Sequence, residues 1–441
     1  MATLLLGLGV AIAPVPLQAA DINPVRFDLP NGLTVLVLEQ HSLPLLQIHA
    51  LVRAGSAQDP PGKAGLANLV ASLLDEGTAT RTAKQIAQQI EFVGGTLAAM
   101  AGEDFTTASA RVLKKDTELG FELLADILLH PAFPEAELRR VRSEILGEIA
   151  SERDDPGQVA AKAFHQLVFE GHPYRWPVNG TEESVPKLTR GDLLGFFVRE
   201  YLPNRTILTI VGDIRAEQAR RLVARHFGSW KRGAAPSRAA DTPRPLGKQA
   251  VRLIEKDLTQ STIMLGHVGI SRTNPDFYAV TVMNYILGAG GFSSRLMDSI
   301  RDNQGLAYGV GSHFEANLMP GAFFVSLQTR NETANQAIAA VLAEVNRMRE
   351  APITDEELAD AKAYLIGSFP LRLDTTAKLA DVLSLVEFYG LGLDYFTQYP
   401  RLIEQVTKED VARVAKQYLN PNEYALVVVG NLAKAKVTQG P

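Results

Sequence analysis

The sequence predicts an α+β protein of two homologous domains, each an antiparallel-rich sheet covered by helices, together forming a half clamshell. Its first support is an internal repeat at a nearly fixed offset. "LTRGDLLGFFVREYLPNRTILTIVGDI", residues 188–214, is answered by "VTKEDVARVAKQYLNPNEYALVVVGNL", residues 406–432. The match sets Asp192 against Asp410, Tyr201 against Tyr418 and Val211-Gly212 against Val429-Gly430. "FPEAELRRVRSEILGEI" is echoed in the same way by "ITDEELADAKAYLIGSF", with Leu138 against Leu358. The second support is hydrophobic period, which runs from alternation to helical spacing and back to a β-branched strand in each copy. A chain of 441 residues also exceeds the size at which one core stops growing.

The elements follow in chain order. Residues 1–20 carry an apolar run too short to span a bilayer and end on Ala19 and Ala20, which predicts a cleaved secretory signal peptide. The run lacks a cationic opening, which leaves an upstream start or a membrane-tethering stub as alternatives. The N-terminal domain, residues 21–229, opens on the strands "LTVLVLEQ" and "LLQIHALVRAG" and closes on "RTILTIVGD". Between them "KAGLANLVASLLDEGT", Lys63 to Thr78, has the length and punctuation of an amphipathic helix with a Gly-Thr stop. Residues 230–250 are rich in Pro, Gly, Ala and basic side chains and suit an exposed linker. The C-terminal domain, 251–441, opens on "QSTIMLGHVGI" and closes on "EYALVVVGN".

Composition removes several classes of function. The net charge of −5, with Lys and Arg scattered, provides no basic footprint for nucleic acid and no polybasic patch for anionic lipid. Without any cysteine there are no disulfides, no thiolate catalysis and no cysteine-type zinc site. The eight histidines include no pair at the i, i+4 spacing of a helix-borne metal site. The glycines of "GAGGFSS" lack the following Lys of a phosphate-binding loop and read as turn residues.

Five blocks in order and spacing carry a family resemblance: "LPNGLTVLVLEQ", "GLANLVASLLDEGT", "IEFVGGTLAAMAGEDFTTAS", "EGHPYRWPVNGTEESVPKLTRGDLLGFFVREYLPNR" and "NYILGAGGFSSRLMDSIRDNQGLAYGVGSHF". Over nearly its whole length the chain resembles the pitrilysin or insulinase family of zinc peptidases, the inverzincins, whose zinc motif is H-x-x-E-H. In active relatives that motif follows Gly-Leu-Ala, so it lies over Asn68, Ala71 and Ser72. Two histidines at i and i+4 share a helix face and hold one zinc, while the glutamate beside them polarises water. Here an amide and a hydroxyl replace the ligands and a methyl group replaces the base. The family's third ligand, a later glutamate, corresponds to Glu148, which reads as a solvated or ion-paired residue once the others are gone. A polar Asn-Ala-x-Thr strand flanking the family's site is replaced by Ala98, Ala99, Met100 and Ala101.

The second half keeps what the first has lost. The resemblance extends to a substrate-binding phrase in which an arginine precedes a tyrosine by seven positions, matching Arg301 and Tyr308. Ser293 or Ser294 is expected to cap a short helix and Gly305 to end it. "LAYGVGSHF" then reads as a strand with Tyr308, Val310, Ser312 and Phe314 on one face, and Arg295 as a helix residue supporting the loop. The local alternative is a surface charge and an amphipathic core aromatic. In the family a phenol stabilises the oxyanion of the tetrahedral intermediate and a guanidinium holds a neighbouring carbonyl.

This pattern resembles one arrangement within the family, paired half-size subunits of which one carries H-x-x-E-H and the other the Arg/Tyr pair, and the resemblance implies the zinc-free subunit of a heterodimeric periplasmic peptidase. It would bind no cofactor itself and lend Arg301 and Tyr308 in trans to a homologous H-x-x-E-H subunit holding the zinc. Unstructured peptides are the expected substrates, added as a strand to a sheet edge, and no nucleic acid or membrane partner is expected beyond an N-terminal tether. The alternatives are a catalytically inactive structural subunit, like the core proteins of a respiratory complex, and a homodimer that binds peptides without cleaving them.

Overall fold

The computed structural model describes residues 22–234 and 242–437, so the segment expected to be a signal peptide lies outside the described residues. In the first half, runs of Val, Ile and Leu form β1 (Val25–Asp28), β2 (Thr34–Glu39), β3 (Leu45–Val52), β4 (Thr96–Ala101), β5 (Thr106–Leu113) and β6 (Thr206–Gly212). They make one sheet in the order β1-β2-β6-β3-β5-β4. Only β2 and β6 run parallel. The helices are α1 (Leu66–Ala71), α2 (Ala83–Phe92), α3 (Thr117–Leu129), α4 (Glu135–Ser151), α5 (Pro156–Val168), α6 (Arg190–Glu200) and α7 (Ala216–Phe227). All except α5 close over one face of the sheet, where Phe121, Leu138, Phe196 and Val223 meet Val35, Ile48 and Ile210.

The second half repeats the plan with β7 (Ala250–Glu255), β8 (Gln260–Val268), β9 (Ala307–Ala316), β10 (Pro320–Arg330) and β11 (Ala425–Gly430). Their order is β7-β11-β8-β10-β9, and the closing strand β11 again pairs parallel with the opening strand. Its helices are α8 (Phe277–Asn284), α9 (Ala334–Glu350), α10 (Asp355–Gly367), α11 (Thr376–Tyr389), α12 (Tyr395–Glu404), α13 (Lys408–Tyr418) and α14 (Leu432–Ala435). The repeat reaches the caps. Thr189 and Asp192 form a reciprocal capping box on α6, and Thr407 and Asp410 form the same box on α13.

Strands β6 and β11 are buried at every residue, so both faces of each sheet centre are covered. The second cover is exchanged between the halves. Helix α11 lies on β3 and β6 of the first sheet, while α5 lies on β8 and β11 of the second. Leu379, Leu383 and Val386 join the cluster containing Leu36, Leu38, Ile207 and Val211. Reciprocally, Ala160, Ala163, Phe164 and Val168 pack with Met264, Ala425, Val427 and Val429. Burying a side chain of leucine size stabilises by about 2 kcal/mol, so these helices bind the two-domain clamshell together. A buried Thr209–Ser384 hydroxyl contact of 2.8 Å satisfies the polar groups under α11.

Beside this apolar exchange runs a polar seam. The Tyr174 hydroxyl donates to Asp104 Oδ1 at 2.5 Å, and the Leu318 amide donates to Asp104 Oδ2 at 2.8 Å. Asn317 donates to the Glu103 carboxylate, and His165 Nε2 lies 3.5 Å from Glu315 Oε2. Burial pushes the Glu103 carboxyl up to about 7; His165 opposes that rise, while Glu315 and Asp104 add to it. Burial also raises the Asp104 pKa against its bonds from Tyr174 and Leu318. For His165 burial works against the charged form, but the carboxylates of Glu315 and Glu103 raise its pKa overall.

Two local expectations change. The stretch from Lys63 to Thr78 forms a six-residue helix, Leu66–Ala71, rather than one amphipathic helix of its full length. Asp59 fixes the start by accepting from the Gly65 and Ala67 amides at 2.8 Å each. Leu66, Ala67, Leu69, Val70 and Ala71 are all buried, so the turn sits inside the core, and Leu73 and Leu74 continue there in tight turns. Trp230, placed in the linker by composition, belongs to the first core, where its indole N–H donates to the Tyr201 carbonyl at 3.2 Å.

Candidate functional site

The site in the second half is built on two wide helical turns and a bulged strand. Residues Tyr285–Ala289 and Met297–Asn303 are π-helical, a geometry frequent at functional sites. Neither Ser293 nor Ser294 caps the second segment, because their hydroxyls donate back to the Gly290 and Gly291 carbonyls at 3.0 and 2.7 Å. Gly305 does end it. With φ at +61° it closes a paired C-terminal cap in which its amide reaches Arg301 O at 3.0 Å and the Leu306 amide reaches Ile300 O at 2.9 Å. The chain therefore turns sharply after Arg301 and enters β9 beside it.

Tyr308 does not share a face with Val310 and Ser312. The pairing of β9 with β10 shifts between Leu327 and Thr329, leaving one extra residue on β9 within Tyr308-Gly309. Val310 and Ser312 stay buried, whereas Tyr308 is turned out and is 89 % exposed. The bulge brings the two family residues together, with the Arg301 guanidinium carbon 5.4 Å from the centre of the Tyr308 ring. Arg295 supports the turn as expected, through a forked pair to Glu357 at 2.6 and 2.8 Å.

Sequence reasoning missed Phe292. Its ring lies 4.6 Å from the Arg301 guanidinium carbon on a loop of small residues, and it is 73 % exposed. An aromatic with no core periodicity inside "GAGGFSS" was the available signal. The outer edge of β9 is closed further along. Asn284 donates to the Ser312 carbonyl at 3.2 Å, the Val310 amide points at Met297 Sδ at 3.4 Å, and Gly288 lies so near that a Cβ there would meet Ser312 N at 2.6 Å. That edge cannot accept a further strand between Val310 and Ser312. The opposite sheet ends on β4, whose Ala98 and Met100 side chains are exposed.

The first-half positions do not fit a zinc ion. Asn68 and Ser72 follow each other by one turn, with the Ser72 amide donating to Asn68 O at 2.9 Å, but they offer only an amide and a hydroxyl. The Ala71 methyl is wholly buried, so the position of the family's base is part of the apolar core. Glu148 is exposed on α4. Among the described residues no group of three or more His, Asp or Glu side chains is placed to hold a metal.

Comparison with known proteins identifies the family. The insulinase family, peptidase family M16, matches residues 35–182, and the peptidase M16 inactive domain matches residues 187–365. An uncharacterized zinc protease of Mycobacterium leprae is 35% identical over 95% of this chain and 94% of its own length. The non-peptidase homolog YmxG of Helicobacter pylori is 27% identical over 98% of this chain and 99% of its own. The crystal structure of a peptidase M16 inactive domain from Pseudomonas fluorescens superposes with a TM-score of 0.88 at 30% identity, covering 95% of this chain and all, 100%, of that one. A Helicobacter pylori protease shares the fold with a TM-score of 0.85 at 22% identity, over 92% of this chain and 99% of that one.

Proposed function

The chain belongs to the insulinase family of peptidases, family M16, and from that membership we propose that it is the zinc-free subunit of a heterodimeric metallopeptidase, supplying Arg301 and Tyr308 in trans to a homologous H-x-x-E-H subunit. One observation carries the proposal. Arg301 and Tyr308 converge at the surface with the guanidinium and the phenol making no hydrogen bond to a described residue, while at the zinc-motif positions Ala71 is buried in the core and Asn68 and Ser72 offer only an amide and a hydroxyl. Arg301 donates no side-chain hydrogen bond to another described residue, and its nearest carboxylate, Asp302, lies at 3.8 Å. A planar fork of free donors suits a peptide carbonyl, and the free Tyr308 hydroxyl suits the oxyanion of a tetrahedral intermediate. The zinc and the water-polarising base belong to the partner. This chain contributes binding and orientation.

Substrate in this reading is an extended, unstructured peptide. The β9 edge is closed at Val310–Ser312, and this reading docks the peptide on the edge strand β4 or its counterpart in the partner. The apolar segment at residues 1–20 supports the periplasm as the compartment in this reading. The test is hydrolysis of a quenched fluorogenic peptide by this chain, by the H-x-x-E-H partner, and by the mixture. Activity confined to the mixture, reduced on the order of a hundredfold by Arg301→Ala or Tyr308→Phe without loss of association, is the expected result. A partner fully active alone, or a mixture indifferent to both substitutions, would make this chain a structural or peptide-binding subunit.

A further inference from the structure

We propose that Phe292 is a positioning residue that holds Arg301 in its substrate-binding orientation by stacking against the guanidinium opposite Tyr308; this rests on the function proposed above. An arginine is ordinarily oriented by hydrogen bonds to a carboxylate, as Arg295 is by Glu357 at 2.6 and 2.8 Å. Arg301 has only a loose ion pair with its sequence neighbour Asp302, Nε to Oδ1 at 3.8 Å, which is too long for a hydrogen bond. Its side chain nevertheless stays only 29 % exposed, with the Phe292 ring centre 4.6 Å and the Tyr308 ring centre 5.4 Å from the guanidinium carbon.

Both distances fall inside the range in which a cation is attracted to a ring face. This support differs from an ion pair in one respect that matters for binding. It holds the plane of the guanidinium and uses none of its N–H donors, so the whole fork stays available to a carbonyl or carboxylate. Phe292 itself gains little from the protein core. At 73 % exposure it leaves most of an aromatic surface in water, and its place between Gly291 and Ser293 allows the ring to lie over the arginine without obstruction. Tyr308 cannot do the whole task, since its hydroxyl is required on the substrate and its ring is even more exposed, at 89 %.

The experiment uses the full chain and separates this inference from the function it rests on. The Nε–H resonance of Arg301 is followed by NMR in wild type, Phe292→Leu and Phe292→Trp. Leucine keeps the bulk and removes the ring face; tryptophan keeps the face. The resonance is expected to lose its ring-current shift and become mobile with leucine, and to stay ordered with tryptophan. Affinity for a fluorescein-labelled, Gly/Ser/Leu-rich unstructured peptide, read by anisotropy, is expected to fall about three- to fivefold in Phe292→Leu, and in steps as ring fluorination at position 292 weakens the cation–π attraction. Phe292→Trp should bind like wild type, and Arg301→Ala should lose at least as much as the leucine variant.

An Arg301 resonance unchanged by Phe292→Leu overturns the inference. So does peptide binding that falls in Arg301→Ala but not in Phe292→Leu, which leaves the proposed function standing. Binding indifferent to Arg301→Ala overturns the function and with it this role for Phe292. If wild type alone binds no peptide, the resonance decides whether Phe292 orients the arginine.

Discussion

Replacing Glu103 by glutamine should make the protein more resistant to alkaline unfolding. Glu103 sits in the seam between the halves with Asn317 donating to it, and His165, Glu315 and Asp104 form its charged surroundings. Its carboxyl is held at about 7 against an ordinary 4.5, chiefly by burial. A group whose folded pKa is raised contributes stability that is complete below the unfolded value and is lost as pH rises through the folded value. The wild-type protein therefore loses stability between pH 4.5 and about 7 as this carboxyl ionises. At ~1.4 kcal/mol for each factor of ten the full effect is about 3 kcal/mol, and residual access of water to a half-buried group reduces it to about 2 kcal/mol. Glutamine keeps an acceptor for Asn317 and cannot ionise. Urea unfolding of wild type and Glu103→Gln across that pH range should show the variant gaining about 2 kcal/mol relative to wild type from the acid to the alkaline end. A difference that stays flat or shrinks as pH rises would refute the assignment of the seam's strain to this carboxyl.

Other predictions follow from the same reasoning. His49 is buried under α11 with Nδ1 3.2 Å from Asp381 Oδ1, and burial pushes it down to about 4. Its stabilising contribution is present above the ordinary 6.5 and lost as pH falls toward 4, so a His49→Gln variant should show a shallower decline of the urea midpoint over that interval. Ala71→Glu, which restores the family's base, should lower the melting temperature by about 5 °C or more, since the methyl it replaces is wholly buried. A melting temperature equal to that of wild type would mean that the turn opens to solvent at no cost.

Much of this architecture was legible because duplicated sequence preserves duplicated physics. The match of Asp192 to Asp410 and the β-branched closing strands read the same way in both halves of the sequence, and the structure places both aspartates in the same capping box. What escaped was partnership. The periodicity of Pro156–Val168 and Thr376–Tyr389 shows that each helix buries one face, but not that the face belongs to the other half's sheet. The short turn at Leu66–Ala71 escaped because its cap, Asp59, lies several residues upstream, outside any local capping pattern. Arg301 and Tyr308 were found by resemblance, yet the orientation of Tyr308 depends on a bulge set by the register of β10, which strict alternation cannot reveal. Phe292 carries no periodic signal, and its significance lies only in where the loop lays its ring.

The exchange of α5 and α11 also bears on how the chain is made. Synthesis delivers the first sheet complete at Gly212, but the helix that seals its second face, Thr376–Tyr389, is added only after most of the protein has been translated. Until then Leu36, Leu38, Ile207 and Val211 present an apolar face with no lid, and α5 waits with its own apolar face for a sheet that does not yet exist. The nascent chain is thus a sticky intermediate until Tyr389 has been made. A gene truncated between the repeats would yield an aggregation-prone fragment in place of a working domain, so the duplicated halves, once their helices were traded, could no longer be inherited apart.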